Sequence, residues 1–352
     1  MSELIEICSR IRKPNPCMAE ETQRLLDNKT KPRRSLGRIE DLACQISAIR
    51  GTSKPDPPRK AIVVMGADHG VAEEGVSAYP QEVTGQMLLN FARGGAAINV
   101  LARHAGAQVV VVDMGVKVPL PAVPEIRAHR IGPGTRNFTQ GPAMTPEEVV
   151  AAVEVGIRIA EELVGDGVTL LGIGDMGIGN TTAASALVAV FTGAPAEEVA
   201  GRGTGIDDVA FKRKVDVIRR GISVNRPDPQ DGLDALAKVG GFEIAGLAGV
   251  ILGGAASEVP IVVDGFICGA AALAATRIAS LTAGYLISSH RSVEVGHQLV
   301  LQALGTKPLL DLDLRLGEGT GAALAMNLVE ASLCILREMA TFTAAGVSDS
   351  GA

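Results

Sequence analysis

The sequence predicts an α/β protein: an open, doubly wound, mostly parallel sheet, with a small helical domain formed by both chain termini. Three observations carry this reading. Short β-branched runs alternate along the chain with longer Ala- and Leu-rich segments, and strands separated by helices pair in parallel through right-handed crossovers. Forty-two glycines accompany a composition that is 47% apolar and 3% aromatic, which suits tight strand-to-helix turns around an aliphatic core. The two ends differ from this alternation and carry helical patterns without strands between them, at 17–28, 36–50 and 319–340.

Taken in order, residues 17–28 and 36–50 have amphipathic helical spacing. AIVVM (61–65), VVVVDM (109–114), VTLLGI (168–173) and VPIVVD (259–264) read as strands buried on both faces. Helices are expected between them at 82–93, 145–164, 181–191, 206–224 and 266–280. Thr145-Pro146-Glu147-Glu148 and Asn180-Thr181-Thr182 supply N-cap and first-turn chemistry for two of these. Residues 319–340 read as one long apolar helix, and the tail 344–352 as frayed. Residues 1–58 and 319–352 are therefore assigned to the small helical domain and 59–318 to the large α/β domain. No flexible linker or solenoid-type repeat is visible.

Net charge is −6 with no basic stripe and few aromatics, which argues against nucleic acid as the main partner. Cys8, Cys17, Cys44, Cys268 and Cys334 are scattered, odd in number and never spaced C-x-x-C, as expected of free thiols in a reducing compartment. The N-terminus MSELIEICSRIRK carries acids and lacks the apolar core of a signal peptide. Apolar stretches are broken by Gly, Ser or charge before membrane-spanning length. A soluble cytoplasmic protein is the expectation.

Five segments carry candidate chemistry. LLGIGDMGIGNTTAASAL (170–187) contains G-x-G-x-x-G (Gly172, Gly174, Gly177) between a strand and a helix, an arrangement that seats phosphate on helix N–H groups. A dinucleotide site would need a further strand ending in an acid about 20 residues on. Glu197 and Glu198 follow Pro195 in a turn-like stretch instead, so a mononucleotide phosphate fits this loop better, and glycines that only tighten a turn remain possible. MGADHGVAEEGVSAYPQEVTGQM (65–87) offers Ser77, Tyr79, Pro80 and Met87 as a mixed wall for a flat ring. Its Asp68-His69 pair has no third metal ligand at useful spacing and reads as a structural Asp–His hydrogen bond. In KVDVIRRG (214–221) and LISSHRSVEVG (286–296), Lys214 alone reads as a solvated helix charge and Ser292 as a helix cap.

RLGEGTGAALAM (315–326) sets one carboxylate, Glu318, between two glycines at the start of an apolar helix. Glycine on both sides strips side-chain cover and lets a ligand approach. There is no G-x-S-x-G elbow and no G-x-x-x-x-G-K-[ST] loop. Glycoside hydrolysis usually needs two carboxylates, one to protonate the leaving oxygen. A pyridinium leaving group departs neutral, so one base acting on the incoming nucleophile is enough. A plain N-terminal helix charge is the competing reading of Glu318.

Together the segments KPRRSLGRIEDLA, ADHGVAEEGVSAYPQEVT, GIGDMGIGNTTAASALV, KVGGFEIAGLAG, DGFICGAAALAA and RLGEGTGAALAM resemble the nicotinate-nucleotide–dimethylbenzimidazole phosphoribosyltransferase family over nearly the whole chain. The resemblance implies a Rossmann-like large domain, a homodimer, and no metal or dinucleotide cofactor. It implies that Glu318 is the general base, deprotonating the ring N–H of the lower-ligand base as that ring attacks C1′ of nicotinate mononucleotide. It places Lys214 and Ser292 on the 5′-phosphate, with Gly174, Met176, Gly177, Gly265, Arg315 and Gly317 completing the phosphate and ribose site. Ser77, Tyr79, Pro80, Met87 and Leu316 would form the base pocket, which Met176 also borders. Two departures stand out. Asp175 replaces the family's usual Glu, and Lys31-Pro32-Arg33-Arg34-Ser35-Leu36-Gly37-Arg38 replaces K-P-P-G-S-L-G-R. Asp175 is expected to support Glu318 as a second acid. Relatives that activate phenols with a paralogous subunit, and a nucleotide-binding regulator without chemistry, are the alternatives.

Overall fold

The structure, a computed structural model, describes residues 3–203 and 205–348. Six strands form one parallel sheet: β1 (Lys60–Ala67), β2 (Ala107–Gly115), β3 (Ile126–Ala128), β4 (Leu170–Met176), β5 (Ile261–Val263) and β6 (Leu286–Ser288). Their order is β3-β2-β1-β4-β5-β6, so the chain reverses its direction of growth between β1 and β4. Ligand sites in such sheets lie beyond the carboxyl ends of the strands at that reversal.

Side-chain alternation builds the two layers. Ala61, Val63, Met65, Leu171, Ile173, Ile261 and Val263 join a core under the helices Pro146–Gly165, Asn180–Thr192, Phe242–Ala256 and Phe266–Ile278. Ile62, Val64, Leu170 and Val262 point the other way, into a second core shared with the helices Arg38–Arg50, Ala97–Ala105 and Thr320–Glu338. With both faces covered, β1, β4 and β5 are buried along almost their whole length and do not alternate between apolar and polar residues.

The helices of both termini pack together on that second face: Pro16–Asp27 against Arg38–Arg50, and both against Thr320–Glu338. Lys31 ties the arrangement through a buried ion pair to Glu40 at 2.8 Å. The helix Glu3–Arg10 instead lies against Pro146–Gly165 and Phe242–Ala256. The two extra arginines, Arg33 and Arg34, are exposed. Arg34 takes a left-handed φ of 60°, at the position where the family motif carries Gly. That conformation costs a non-glycine residue about 1–2 kcal/mol.

Among the described residues, the helix Thr320–Glu338 is long and apolar enough to cross a membrane, contrary to the expectation that no stretch reaches that length. Its Ala322, Ala323, Met326 and Val329 are buried in the second core, beside the sheet.

Several boundaries differ from the sequence reading. β4 runs on through Met176, so Gly172 and Gly174 of the glycine motif are strand residues, not loop residues. β3 and the helices Ala97–Ala105, Gly232–Val239, Phe242–Ala256 and His297–Leu304 were not anticipated. LIS of the 286–296 segment is itself a strand. Phe242–Ala256 is buried on all sides, so its apolar residues show no amphipathic stripe to read.

Candidate active site

A cavity of about 510 Å³ opens at the carboxyl ends of β1, β4, β5 and β6, over the topological reversal. Asp175, Met176, Gly177 and Thr181 enter from β4 and the turn after it. Gly265 and Phe266 enter after β5, and His290, Ser292 and Glu294 after β6. Arg315, Leu316, Gly317 and Glu318 close one side, and Ser77, Tyr79 and Met87 the other. Thus twelve of the fifteen residues expected at the site share one cavity. Pro80, Gly174 and Lys214 do not line it.

Glu318 sits in an unusual backbone. Gly317, Glu318 and Gly319 all take left-handed conformations, with φ of 79°, 63° and 88°. For glutamate this is a strained state, of the sort held only when surrounding structure enforces it. Three contacts enforce it here. The Glu318 N–H donates to the Asp175 carbonyl at 3.2 Å. Gly174 lies directly beneath, where a Cβ would come within 2.5 Å of the Glu318 carbonyl and the Gly319 nitrogen. The third is Asp264, just after β5. Its carboxylate accepts the N–H groups of Gly319 (3.1 Å), Gly321 (2.7 Å) and Ala322 (3.1 Å), and so caps the Thr320–Glu338 helix from another part of the chain.

The Glu318 side chain is 5% exposed, and its Oε2 is buried with no hydrogen-bond partner. Burial raises its pKa, while the Ile98 backbone amide, in the first turn of Ala97–Ala105, hydrogen-bonds the carboxylate and opposes the rise. The result is a carboxylate in a largely dry wall with an unused lone-pair site, suited to accepting a proton.

Asp175 lies beside it. Asn180 Nδ2 donates to its Oδ2 at 2.9 Å and the Cys268 thiol approaches Oδ1 at 3.5 Å. Burial, then the nearby Glu243 carboxylate, push Asp175 up to about 7. Asp175, Asp264 and Cys268 present ligand atoms within 4.8 Å of one another, close enough to hold a metal ion. Both Asp264 oxygens are already filled by backbone N–H groups, and burial pushes the Cys268 thiol well up. The cluster is therefore accounted for by capping and packing without a cation.

A helix N-terminus forms another part of the wall. The Asn180–Thr192 helix points its N-terminus at the cavity, and Gly179, with φ 96°, is its N-cap. Asn180 does not cap this helix, as the sequence suggested, because its side chain is spent on Asp175. No side chain caps the first turn, which leaves the helix's positive pole turned toward the cavity.

Lys214 is not the solvated charge its helix position suggests. It is fully buried, with Nζ donating to Thr181 Oγ1 and the Gly201 carbonyl, each at 3.0 Å. Burial lowers its pKa to about 8. It stands one residue behind the lining, against Thr181 and Gly203. Ser292 Oγ accepts the Glu294 N–H at 3.3 Å and faces the cavity, combining a turn-capping role with availability to a ligand.

Comparison with known proteins shows the family. A family profile described as "Phosphoribosyltransferase" matches residues 11–347. A nicotinate-nucleotide–dimethylbenzimidazole phosphoribosyltransferase of Chloroflexus aggregans is 56% identical over 99% of both chains. One of that name from Geobacter metallireducens is 53% identical over 99% of this chain and 98% of its own. The crystal structure of such an enzyme from Thermus thermophilus superposes with a TM-score of 0.90 at 47% identity, covering 96% of this chain and 100% of that one. The chain belongs to the nicotinate-nucleotide–dimethylbenzimidazole phosphoribosyltransferase family.

Within this phosphoribosyltransferase, the Asp68–His69 hydrogen bond expected from the sequence does not form. Asp68 accepts the Lys117 N–H at 2.7 Å, and His69 Nε2 pairs with Glu243 Oε1 at 2.7 Å, both fully buried. Burial pushes the His69 pKa down, but the Glu243 carboxylate outweighs it and leaves the imidazole above its usual value. The pair lies under Gly177, where a Cβ would meet the Ala67 carbonyl at 2.6 Å, so this turn must be glycine to sit on it. Asp264, Glu243, Glu294, His290 and the Ile98 amide went unseen in the sequence. Asp264 carried one signal, an acid closing a buried strand immediately before a glycine, as Asp175 closes β4 near Gly177.

The open side of the cavity is apolar: Tyr79 is 56% and Leu316 57% exposed at its rim. Met87 and Met176 also line the cavity.

Proposed function

We propose that this phosphoribosyltransferase moves the 5-phosphoribosyl group of nicotinate mononucleotide onto 5,6-dimethylbenzimidazole or a similar lower-ligand base, giving α-ribazole 5′-phosphate and nicotinate. The observation that carries the proposal is Glu318: buried, strained, with one oxygen free of hydrogen bonds, in the wall of a cavity that an uncapped helix N-terminus also lines.

The chemistry needs no other acid. The lone pair of one benzimidazole nitrogen attacks C1′ from the face opposite nicotinate. The C1′–N bond to the pyridinium breaks, and its electron pair returns to the ring nitrogen, so nicotinate leaves without a proton. The attacking ring becomes cationic unless its other N–H is lost. Glu318 takes that proton, which lets charge leave the nucleophile as it builds. Asp175, with a pKa of about 7, supports Glu318 through the backbone link and by holding or releasing a proton beside it. The 5′-phosphate is assigned to the first turn of Asn180–Thr192, with Ser292 at the wall and Lys214 behind Thr181. Arg315, which donates to the Gly203 carbonyl at 3.2 Å, closes the mouth over the sugar.

The test is release of free nicotinate from nicotinate mononucleotide by the purified chain. Release that depends on an added benzimidazole supports the proposal, and binding without release under any base would instead favour a regulator. Phenols in the same panel separate the phenol-activating alternative, which Asp175 in place of Glu keeps in view. The family likeness also supports a homodimer, which light scattering reads directly.

A further inference from the structure

Glu294 has no part in the chemistry above, yet it is placed as a ligand-reading group. It is 8% exposed and lines the cavity; its Oε2 is turned against Gly201, and no hydrogen bond to the carboxylate is made among the described residues. A buried carboxylate oxygen left unmatched is costly, and native proteins keep such groups where something else arrives to satisfy them.

The loop holds it firmly. Its N–H donates to Ser292 Oγ at 3.3 Å, its carbonyl accepts the His297 N–H at 2.9 Å, and the Ser292 N–H donates to His297 Nδ1 at 2.9 Å. The side chain presses on Gly201, where any Cβ would run into the carboxylate, and the Gly201 carbonyl in turn accepts from Lys214. Glu294 therefore sits across Gly201 from the buried lysine, in a wall of the cavity that also holds Ser292 and Arg315.

The chemistry of the substrate selects its partner. Near neutral pH the nicotinate carboxylate offers only acceptors and the 5′-phosphate almost only acceptors, since the second phosphate pKa is about 6. An ionised glutamate repels both. The ribose hydroxyls are then the donors that nicotinate mononucleotide itself brings. Carboxylates hold ribose hydroxyls in other doubly wound folds for the same reason. We propose that Glu294 reads the ribose hydroxyls and makes the enzyme discriminate ribose from deoxyribose, an inference that rests on the substrate proposed above.

The experiment compares nicotinate mononucleotide with its 2′-deoxy and 3′-deoxy analogues, using kcat/KM with 5,6-dimethylbenzimidazole and Kd by calorimetry. The wild-type chain is expected to favour the ribonucleotide over at least one analogue by about tenfold or more, as a hydrogen bond to a charged group allows. Glu294→Ala should bring that ratio close to unity, chiefly by losing the ribonucleotide, while turnover of the analogue persists. Glu294→Gln keeps the shape and one acceptor, and should fall between the two. A wild type that does not discriminate, or a variant that keeps the wild-type ratio, overturns the inference. A general structural defect would weaken all three ligands together and leave the ratio unchanged. Because calorimetry reads the ratio without turnover, failure of the proposed reaction is distinguishable from failure of this one.

Discussion

The backbone N–H of Glu318 donates to the carbonyl of Asp175 across 3.2 Å, so the two acids of the site are joined through their main chains. Displacing either one moves the other.

Asp175 has its pKa raised from 3.8 to about 7, by burial first and Glu243 second. Between those values the folded chain binds more protons than the unfolded one, so stability falls as pH rises through the window. Asp175→Asn should remove this slope: from pH 5 to pH 8 the thermal midpoint of the wild type should fall further than that of the variant. Parallel slopes would contradict a buried, proton-holding Asp175. Asp175→Glu should separately change rate or base preference across a benzimidazole and phenol panel, and an unchanged profile would make the missing methylene neutral.

Gly174→Ala puts a methyl group within 2.5 Å of the Glu318 carbonyl and the Gly319 nitrogen. Overpacking of this kind costs about 1–3 kcal/mol. A displacement of Glu318 by an ångström should lower kcat by about a hundredfold. Turnover and a melting curve on the same preparation check both, and normal kcat would show that the close approach is not what positions Glu318.

Lys214 has its pKa lowered to about 8 by burial. Above that pH it loses its charge and its hold on phosphate, so kcat/KM for nicotinate mononucleotide should decline as pH rises past about 8. Lys214→Met should lower kcat/KM by about tenfold or more at pH 7 and abolish the decline. A variant that keeps the wild-type pH profile would remove Lys214 from the phosphate site.

Asp264→Ala strips the acceptor from three N–H groups at the start of Thr320–Glu338. Loss of a cap together with buried unpaired N–H groups should cost about 2–4 kcal/mol, seen in denaturant unfolding. Because the same contacts hold Glu318 at positive φ, kcat should fall even under conditions where the variant is fully folded. Destabilisation with unchanged kcat would limit Asp264 to the fold.

How far the sequence reaches depends on whether a feature is local. β1, β2, β4 and β5 were legible because buried parallel strands are runs of β-branched residues, and RLGEG was legible because glycines flank a lone acid. The glycine motif was legible as a pattern and misread as a place. Gly172 and Gly174 serve strand–helix and strand–Glu318 contact, and only Gly177 and Gly179 belong to the turn. Lys214 read as a surface charge because helix position alone does not show what covers it, here Thr181 and Gly201. Asp264 capping a helix 55 residues away, and Glu243 pairing with His69 across 174, are long-range relations that no local spacing encodes. Phe242–Ala256 was missed because a helix buried on every side has no polar face to mark its period.

The most direct test of the account is Glu318→Gln, which keeps the shape of the side chain and removes its capacity to take a proton. With 5,6-dimethylbenzimidazole and nicotinate mononucleotide at saturation, nicotinate release should fall by about a hundredfold or more. Calorimetric affinity for nicotinate mononucleotide should stay near that of the wild type. Near-normal turnover with both substrates bound would contradict Glu318 as the base.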